Sequence, residues 1–261
     1  MSVCFATVAS GSAGNCVLVG TEQTKILIDA GLSGKKIENG LSELNLTGQD
    51  IDAIFITHEH IDHTDGVGVM SRRYDLPIYA TEGSWQNMPS KVGEIRERNK
   101  NAVYCGETTI INDICISPFE IPHDAAEPVG YNIFVENKKL TVATDIGHVT
   151  ETVFQSVRGS DFLLIESNHD VDMLKRGSYP YELKQRILSD LGHLSNNVCA
   201  ALLAKVAESG LKRIALGHLS FDNNDAILAF EVARAALEKQ GAMPGQDIIL
   251  SVAQRYGLTM I

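Results

Sequence analysis

What this chain of 261 residues lacks narrows the field before any motif is read. No apolar run approaches the ~20 residues that a helix needs to cross a bilayer, so no membrane partner is expected. The opening Met1-Ser2-Val3-Cys4-Phe5 carries no basic segment, and no secretory leader is expected from it. Cysteine is scarce and unpatterned. Cys4, Cys16, Cys105, Cys115 and Cys199 are odd in number and contain no CxxC, which argues against a disulfide frame or a zinc knuckle. They suit small buried residues in a reducing compartment, and the expected location is cytoplasmic. Positive charge is also short: 22 Lys and Arg stand against 33 Asp and Glu, a net charge of −11. The broad basic face of a non-specific nucleic-acid binder is therefore not expected. A nuclease stays compatible, because two divalent cations would bring about four positive charges to a scissile phosphate. No Pro/Gly/Ser-rich linker or internal repeat divides the chain, and residues 1–261 are expected to form one domain.

Enough apolar material is present to fold without staples. Hydrophobic residues make up 44% and charged residues 21% of the chain, and a chain of this length can bury roughly 70–75% of its unfolded surface. The information is concentrated in one stretch, Thr57-His58-Glu59-His60-Ile61-Asp62-His63-Thr64-Asp65-Gly66. Three of the eight histidines fall within six positions there. The run Ile51 to Ile56 before it reads as a short buried strand. Where the chain is still extended, side chains repeat with period two, so His58 and His60 can project to one side. Asp62 and His63 open a helical pattern that continues through Val67, Met70 and Tyr74, and would aim at a second point nearby. In outline this is a dinuclear metal loop; the plain alternative is a solvated polar turn.

Along the rest of the chain, Val3 to Ala9 reads as a strand that runs into the small, hydroxyl-rich turn Ser10-Gly11-Ser12-Ala13-Gly14-Asn15. That turn is an ordinary hairpin or, by its resemblance to phosphodiester-cleaving families, a phosphate contact through Ser12 and Asn15. Val17–Val19 and Lys25–Ile28 read as strands, the second closing on Asp29. Helices are expected over Lys35 to Leu46, Asp65 to Tyr74, Glu82 to Met88, Tyr181 to Leu191, Asn196 to Ser209 and Asn224 to Lys239, the last stopped by Gly241. Ile78–Ala80, Thr109–Ile111, Ile114–Ile116, Phe119–Ile121, Tyr131–Val135, Leu140–Ala143, Phe162–Ile165, Ile214–Leu216 and Asp247–Val252 read as strands. The stretch Lys91 to Lys100, with four basic residues, reads as a solvated face. One grammar repeats: a strand, then a metal-type residue at its C-terminal end, at His58, His123, Asp145, His169 and His218. Imidazole and carboxylate donors suit zinc, manganese or iron.

The order His58-x-His60-x-Asp62-His63 after a buried strand resembles the signature of the two-metal hydrolases of the metallo-β-lactamase fold superfamily. The resemblance runs over nearly the whole chain. It implies a four-layer αββα sandwich of class α/β. It also implies two divalent metal ions: His58, His60 and His123 on the first, Asp62, His63 and His218 on the second, and Asp145 bridging them. Asp29 would brace the loop. His169 competes with His123 for the third position of the first site, or stands behind it; His148 is read as a bystander. Asn168-His169-Asp170, Gly192-His193-Leu194-Ser195-Asn196 and Gly217-His218-Leu219-Ser220 resemble the YycJ/WalJ branch of the superfamily. By that likeness His193 would bind the phosphate and assist the leaving group, with Ser195, Asn168 and His169 as further substrate contacts. Asp62 and His193 are the catalytic candidates. The inserted domain of RNA-processing relatives is missing, since the chain has no room for it.

The resemblance implies a DNA exonuclease acting from the 5′ end; the residues themselves support phosphodiester hydrolysis. A small phosphodiester is the competing substrate, kept open by the acidic charge, and a thioester is disfavoured by a histidine placed before a helix N-terminus. A regulatory protein with a degenerate metal site is the third class, and the full set of donors argues against it. The oligomeric state is left open.

Overall fold

The computed structural model describes residues 3–261, so Met1 and Ser2 lie outside it. Six strands come first: β1 (Cys4–Ala9), β2 (Cys16–Gly20), β3 (Lys25–Ile28), β4 (Ala53–Phe55), β5 (Ile78–Ala80) and β6 (Lys100–Ala102). Eight follow: β7 (Thr109–Ile111), β8 (Ile114–Glu120), β9 (Val129–Val135), β10 (Lys138–Ala143), β11 (Phe162–Glu166), β12 (Arg213–Gly217), β13 (Ile249–Val252) and β14 (Thr259–Met260). The first six form one sheet in sequence order, with β14 added beside β1; the remaining seven form a second sheet, also in sequence order. Both sheets follow one plan. An antiparallel meander (β1–β3, β7–β10) passes into parallel strands (β3–β6, β10–β13).

Among the described residues there are nine α-helices: α1 (Gly34–Glu43), α2 (Ile61–Thr64), α3 (Val67–Tyr74), α4 (Glu82–Asn87), α5 (Glu151–Val157), α6 (Val171–Arg176), α7 (Tyr181–Ile187), α8 (Asn196–Val206) and α9 (Ala226–Lys239). The layering follows from period two in the strands. On β3, Ile26 and Ile28 enter the core between the sheets while Leu27 faces α1 and α3. On β11, Leu164 enters that same central core while Leu163 and Ile165 face α5, α8 and α9. Three apolar layers thus separate four structural ones, and the αββα expectation holds. Each such side chain, fully buried, contributes roughly 1.5–3 kcal/mol of transfer free energy. Among the described residues no helix is long and apolar enough to cross a membrane.

Several boundaries differ from expectation. The strands anticipated at 114–116 and 119–121 are one strand, β8, which continues through Pro118. β7 reaches only to the partner of Ile116, so Pro118 has no partner on that side, where a residue without N–H is tolerated. The helix expected from Asp65 is two: a one-turn α2 that carries Asp62 and His63, then α3 from Val67. The helix from Tyr181 stops at Ile187, whose carbonyl accepts the His193 N–H at 3.0 Å, and Gly192 passes so close that a Cβ there would lie 2.2 Å from that oxygen. The basic stretch is neutralised locally, Lys91 by Asp65, Arg96 and Arg98 by Asp75, and Lys100 by Glu97.

Candidate metal centre

The C-terminal ends of β3, β4, β8, β10, β11 and β12 open on one edge of the sandwich, where the two sheets meet. Asp29, Asp145 and His218 each turn the chain just past a strand in the left-handed region, with φ of 61°, 60° and 53°. Non-glycine residues rarely sit there, and such strain gathers at functional sites.

The loop after β4 is fixed from behind. Asp29 accepts the Thr57 N–H at 2.8 Å, the Thr57 hydroxyl at 2.9 Å and the Nδ1–H of His63 at 2.7 Å. That last bond leaves His63 Nε2 facing inward, the usual way a second group sets a ligand's tautomer. Thr57 Oγ1 lies 3.1 Å from His58 Nδ1, which turns His58 Nε2 to within 3.0 Å of His60 Nδ1. Gly31 is required for the loop to close: a Cβ there would lie 1.6 Å from the carbonyl oxygen of Asp62. Asn15 packs at the same point, its amide 3.1 Å from His63 Nε2 and its backbone N–H donating to that Asp62 carbonyl at 2.8 Å.

From the second sheet come His123, Asp145, Glu166 and His218. His123 Nδ1 faces the Gly192 carbonyl at 3.2 Å, and its Nε2 lies 3.9 Å from Asp145 Oδ1. Asp145 Oδ2 stands 3.3 Å from His63 Nε2, and Oδ1 stands 3.4 Å from His218 Nδ1. The donor atoms fall into overlapping groups, each within 4.8 Å: His58, His60 and His123; Asp62, His63 and His218; His58, His63 and Asp145; and Asp145, Glu166, His193 and His218. The first two groups have the membership expected of the two sites, and Asp145 reaches the surroundings of both.

Electrostatics and satisfaction both bear on whether these donors fit cations. Burial holds His58 well below the ordinary histidine range, so its lone pair is available. Burial opposes ionisation of Asp145, yet the imidazoles of His218 and His63 outweigh it and keep the carboxyl well below its usual range. His218 shows the counterpart: burial would lower it, but Asp145, Asp62 and Glu166 push it up to about 10. Buried carboxylates here hold protons on imidazoles for want of another positive partner, which a divalent cation would supply. Asp145 Oδ2 and His218 Nε2 are buried and make no hydrogen bond. Hard oxygen and borderline nitrogen donors with unsatisfied atoms turned inward fit zinc, manganese or iron.

His193 sits at the mouth, 19% exposed, with Nδ1 2.8 Å from Glu166 Oε1. It shares a cavity of about 180 Å³ with Ser12, Asn168, Arg186 and Ser220. The structure therefore brings Ser12, Asn168 and His193 together. Asn15 lies with the metal loop instead. The Ser195 hydroxyl accepts the Val198 N–H as the N-cap of α8, and His169 is buried, with neither ring nitrogen hydrogen-bonded. His169 is absent from all four groups. His148 is exposed and bonds the Asp190 carbonyl.

Two residues escaped the sequence reading. Glu166 is fully buried and accepts from His193, His218 and the N–H groups of Ile146 and Leu194. Burial alone would raise its carboxyl, but His193 and His218 bring it down to about 2. It closes a buried strand as Asp29 nearly does, and that signal was available. Arg186 lines the cavity and is tied to Asp124; a basic residue in a polar helix gave no signal.

Comparison with known proteins identifies the family. The sequence model of the beta-lactamase superfamily domain matches residues 24–218. The chain is 42% identical over 246 residues to exodeoxyribonuclease YycJ of Bacillus anthracis, covering 94% of this chain and 93% of that one. It is 44% identical over 227 residues to exodeoxyribonuclease WalJ of Streptococcus pneumoniae, covering 86% and 84%. Among solved structures, Zn(2+)-bound PqqB from Methylobacterium extorquens superposes over both whole chains with a TM-score of 0.72 at 18% identity, a likeness of fold.

Proposed function

Because the chain belongs to the beta-lactamase superfamily, and within it to the group of the YycJ and WalJ proteins, we propose that it removes nucleotides from the 5′ end of DNA. It is a metal-dependent hydrolase. The observation that carries the finer reading is the pairing of two donor groups around Asp145 with His193 beside a cavity that holds Ser12, Asn168 and Arg186. A carbonyl substrate would not need that second, phosphate-suited half.

His58, His60 and His123 would hold one divalent cation, Asp62, His63 and His218 another, with Asp145 between them. When bound, a pair of such ions lowers the pKa of water and neutralises charge on the phosphoryl oxygens. The chain's own residues do the rest. Arg186 offers its guanidinium to a non-bridging oxygen of the phosphate. Asp62, half-buried and kept below the usual carboxylate range by His63 and His218 against the effect of burial, accepts a hydrogen of the attacking water. Glu166 holds His193 Nδ1–H and orients the ring, which leaves Nε2 to give a proton to the departing alkoxide as the P–O bond breaks. Burial would lower His193, but Glu166 raises it above the ordinary range, so the donor form is favoured at neutral pH.

Product analysis on 5′- and 3′-labelled DNA and RNA, single- and double-stranded, and on bis-p-nitrophenyl phosphate, with manganese and with zinc, tests this reading. Mononucleotide release from the 5′ end of DNA is expected. Cleavage confined to the small ester would favour the small-phosphodiester reading, for which the net charge of −11 speaks.

A further inference from the structure

A second cavity, of about 340 Å³, adjoins the one that holds His193, and Ser220 lines both. Its walls include Phe221 and Arg255, from the loop that follows His218 and from the segment after β13. Phe221 is 69% exposed, although the loop around it is rigidly held. Ser220 N–H donates to the Asn168 carbonyl at 2.8 Å, and the Asn223 carbonyl accepts the Asp170 N–H at 2.9 Å. The ring of Phe221 is thus held by an anchored loop with most of its surface in water.

Arg255 covers this ring, its guanidinium carbon 4.5 Å from the centroid. Among the described residues no carboxylate lies within ion-pair distance of Arg255, and its Nε is buried without a hydrogen-bond partner. Its Nη2 donates to the Leu219 carbonyl at 3.5 Å, so in a chain with eleven more acids than bases this arginine beside the active site has no acidic partner among the described residues. The neighbouring acids are engaged elsewhere: Asp222 accepts the Tyr179 hydroxyl at 2.9 Å, and Asp225 caps α9. Gly11 makes room for the arginine stem, since a Cβ there would stand 3.2 Å from Arg255 Cγ. An exposed aromatic ring with a guanidinium against it is the pair of groups that single-stranded nucleic acid uses, one for a base and one for a phosphate.

We propose that Phe221 and Arg255 form a nucleotide subsite continuous with the catalytic cavity, where Phe221 stacks a base next to the scissile phosphate and Arg255 binds the adjoining phosphate. The assignment rests on the nuclease reading above. It makes the subsite, and not the metal centre, the source of preference for a polymer over a small diester.

The test is the ratio of kcat/KM for a single-stranded oligonucleotide to that for bis-p-nitrophenyl phosphate, measured on metal-loaded enzyme. Phe221→Ala should lower that ratio by roughly tenfold, mostly through KM, and Phe221→Trp should keep it. Arg255→Gln should weaken oligonucleotide binding and flatten its dependence on log salt by about 0.7. An unchanged ratio in Phe221→Ala, or an unaltered salt slope in Arg255→Gln, overturns the subsite while leaving the nuclease reading intact. Wild-type enzyme that cleaves the small diester but no DNA or RNA overturns both, and the two failures are told apart by that control.

Discussion

Glu166 and His193 are joined by a 2.8 Å hydrogen bond between Oε1 and Nδ1, and the same oxygen faces His218 Nδ1 at 2.8 Å. One buried carboxylate thereby orients both an expected ligand and the expected proton donor. Glu166→Gln should keep the fold yet cost roughly 10–100-fold in activity, the range for groups that orient ligands. His193→Ala should keep the metals and lose roughly 10²–10⁴ in kcat on DNA. Both losses should shrink on bis-p-nitrophenyl phosphate, whose leaving group needs no proton. Equal losses on both substrates would remove the acid role.

Metal analysis after dialysis addresses the ligand set. Asp145→Ala should lose both ions, since its carboxylate reaches the surroundings of each. Two tightly held ions in that variant would rule out bridging. His123→Ala should lose metal and activity together, whereas His169→Ala should retain most of its metal.

His169 also predicts a pH dependence. Burial outweighs the pull of Glu166 and brings this imidazole down to about 4, against ~6.5 in an unfolded chain. A depressed histidine stabilises the fold fully above the unfolded value, and that contribution is lost as pH falls from about 6.5 towards 4. The amount is about 3 kcal/mol. Urea unfolding across this window should be less steep in pH for His169→Phe than for the parent, and identical slopes would refute the assignment.

Tyr131 ties the central core to the metal loop. It is fully buried, its ring meets Phe55 edge-on at 5.7 Å, and its hydroxyl donates to the Ile56 carbonyl at 2.8 Å. Tyr131→Phe strands that carbonyl and should cost about 1–3 kcal/mol. Because Ile56 leads directly into Thr57 and His58, metal affinity should fall too. Chemical denaturation with and without added zinc would read both effects.

The sandwich was legible because β3, β11 and β12 are unbroken apolar runs, as strands buried on both faces must be. The polar edge strand Lys100-Asn101-Ala102 and the two-residue β14 carry no such run, and they became visible only through pairing with β5 and β1. Around the site, the loop from His58 to His63 is local and could be read directly. Which of Glu166 to Asp170 turns inward is decided by the way β11 ends against α8, which spacing does not encode; only the place of Glu166 at the end of a buried strand marks it in the sequence. The left-handed turns at Asp29, Asp145 and His218 were equally hidden, since none is a glycine.

The two sheets meet at the donor groups in a fixed proportion. His58 and His60 come from the first sheet's loop and His123 from the second; Asp62 and His63 come from the first and His218 from the second. Neither half of the chain holds all of either expected site, although Asp145, Glu166, His193 and His218 all come from the second. If the polypeptide were severed between β6 and β7, each fragment would be inert alone, and the C-terminal one would still carry β14, the strand that docks beside β1. Reassembly would restore strand pairing and both donor groups in a single event. Such a break would make activity depend on the two fragments pairing.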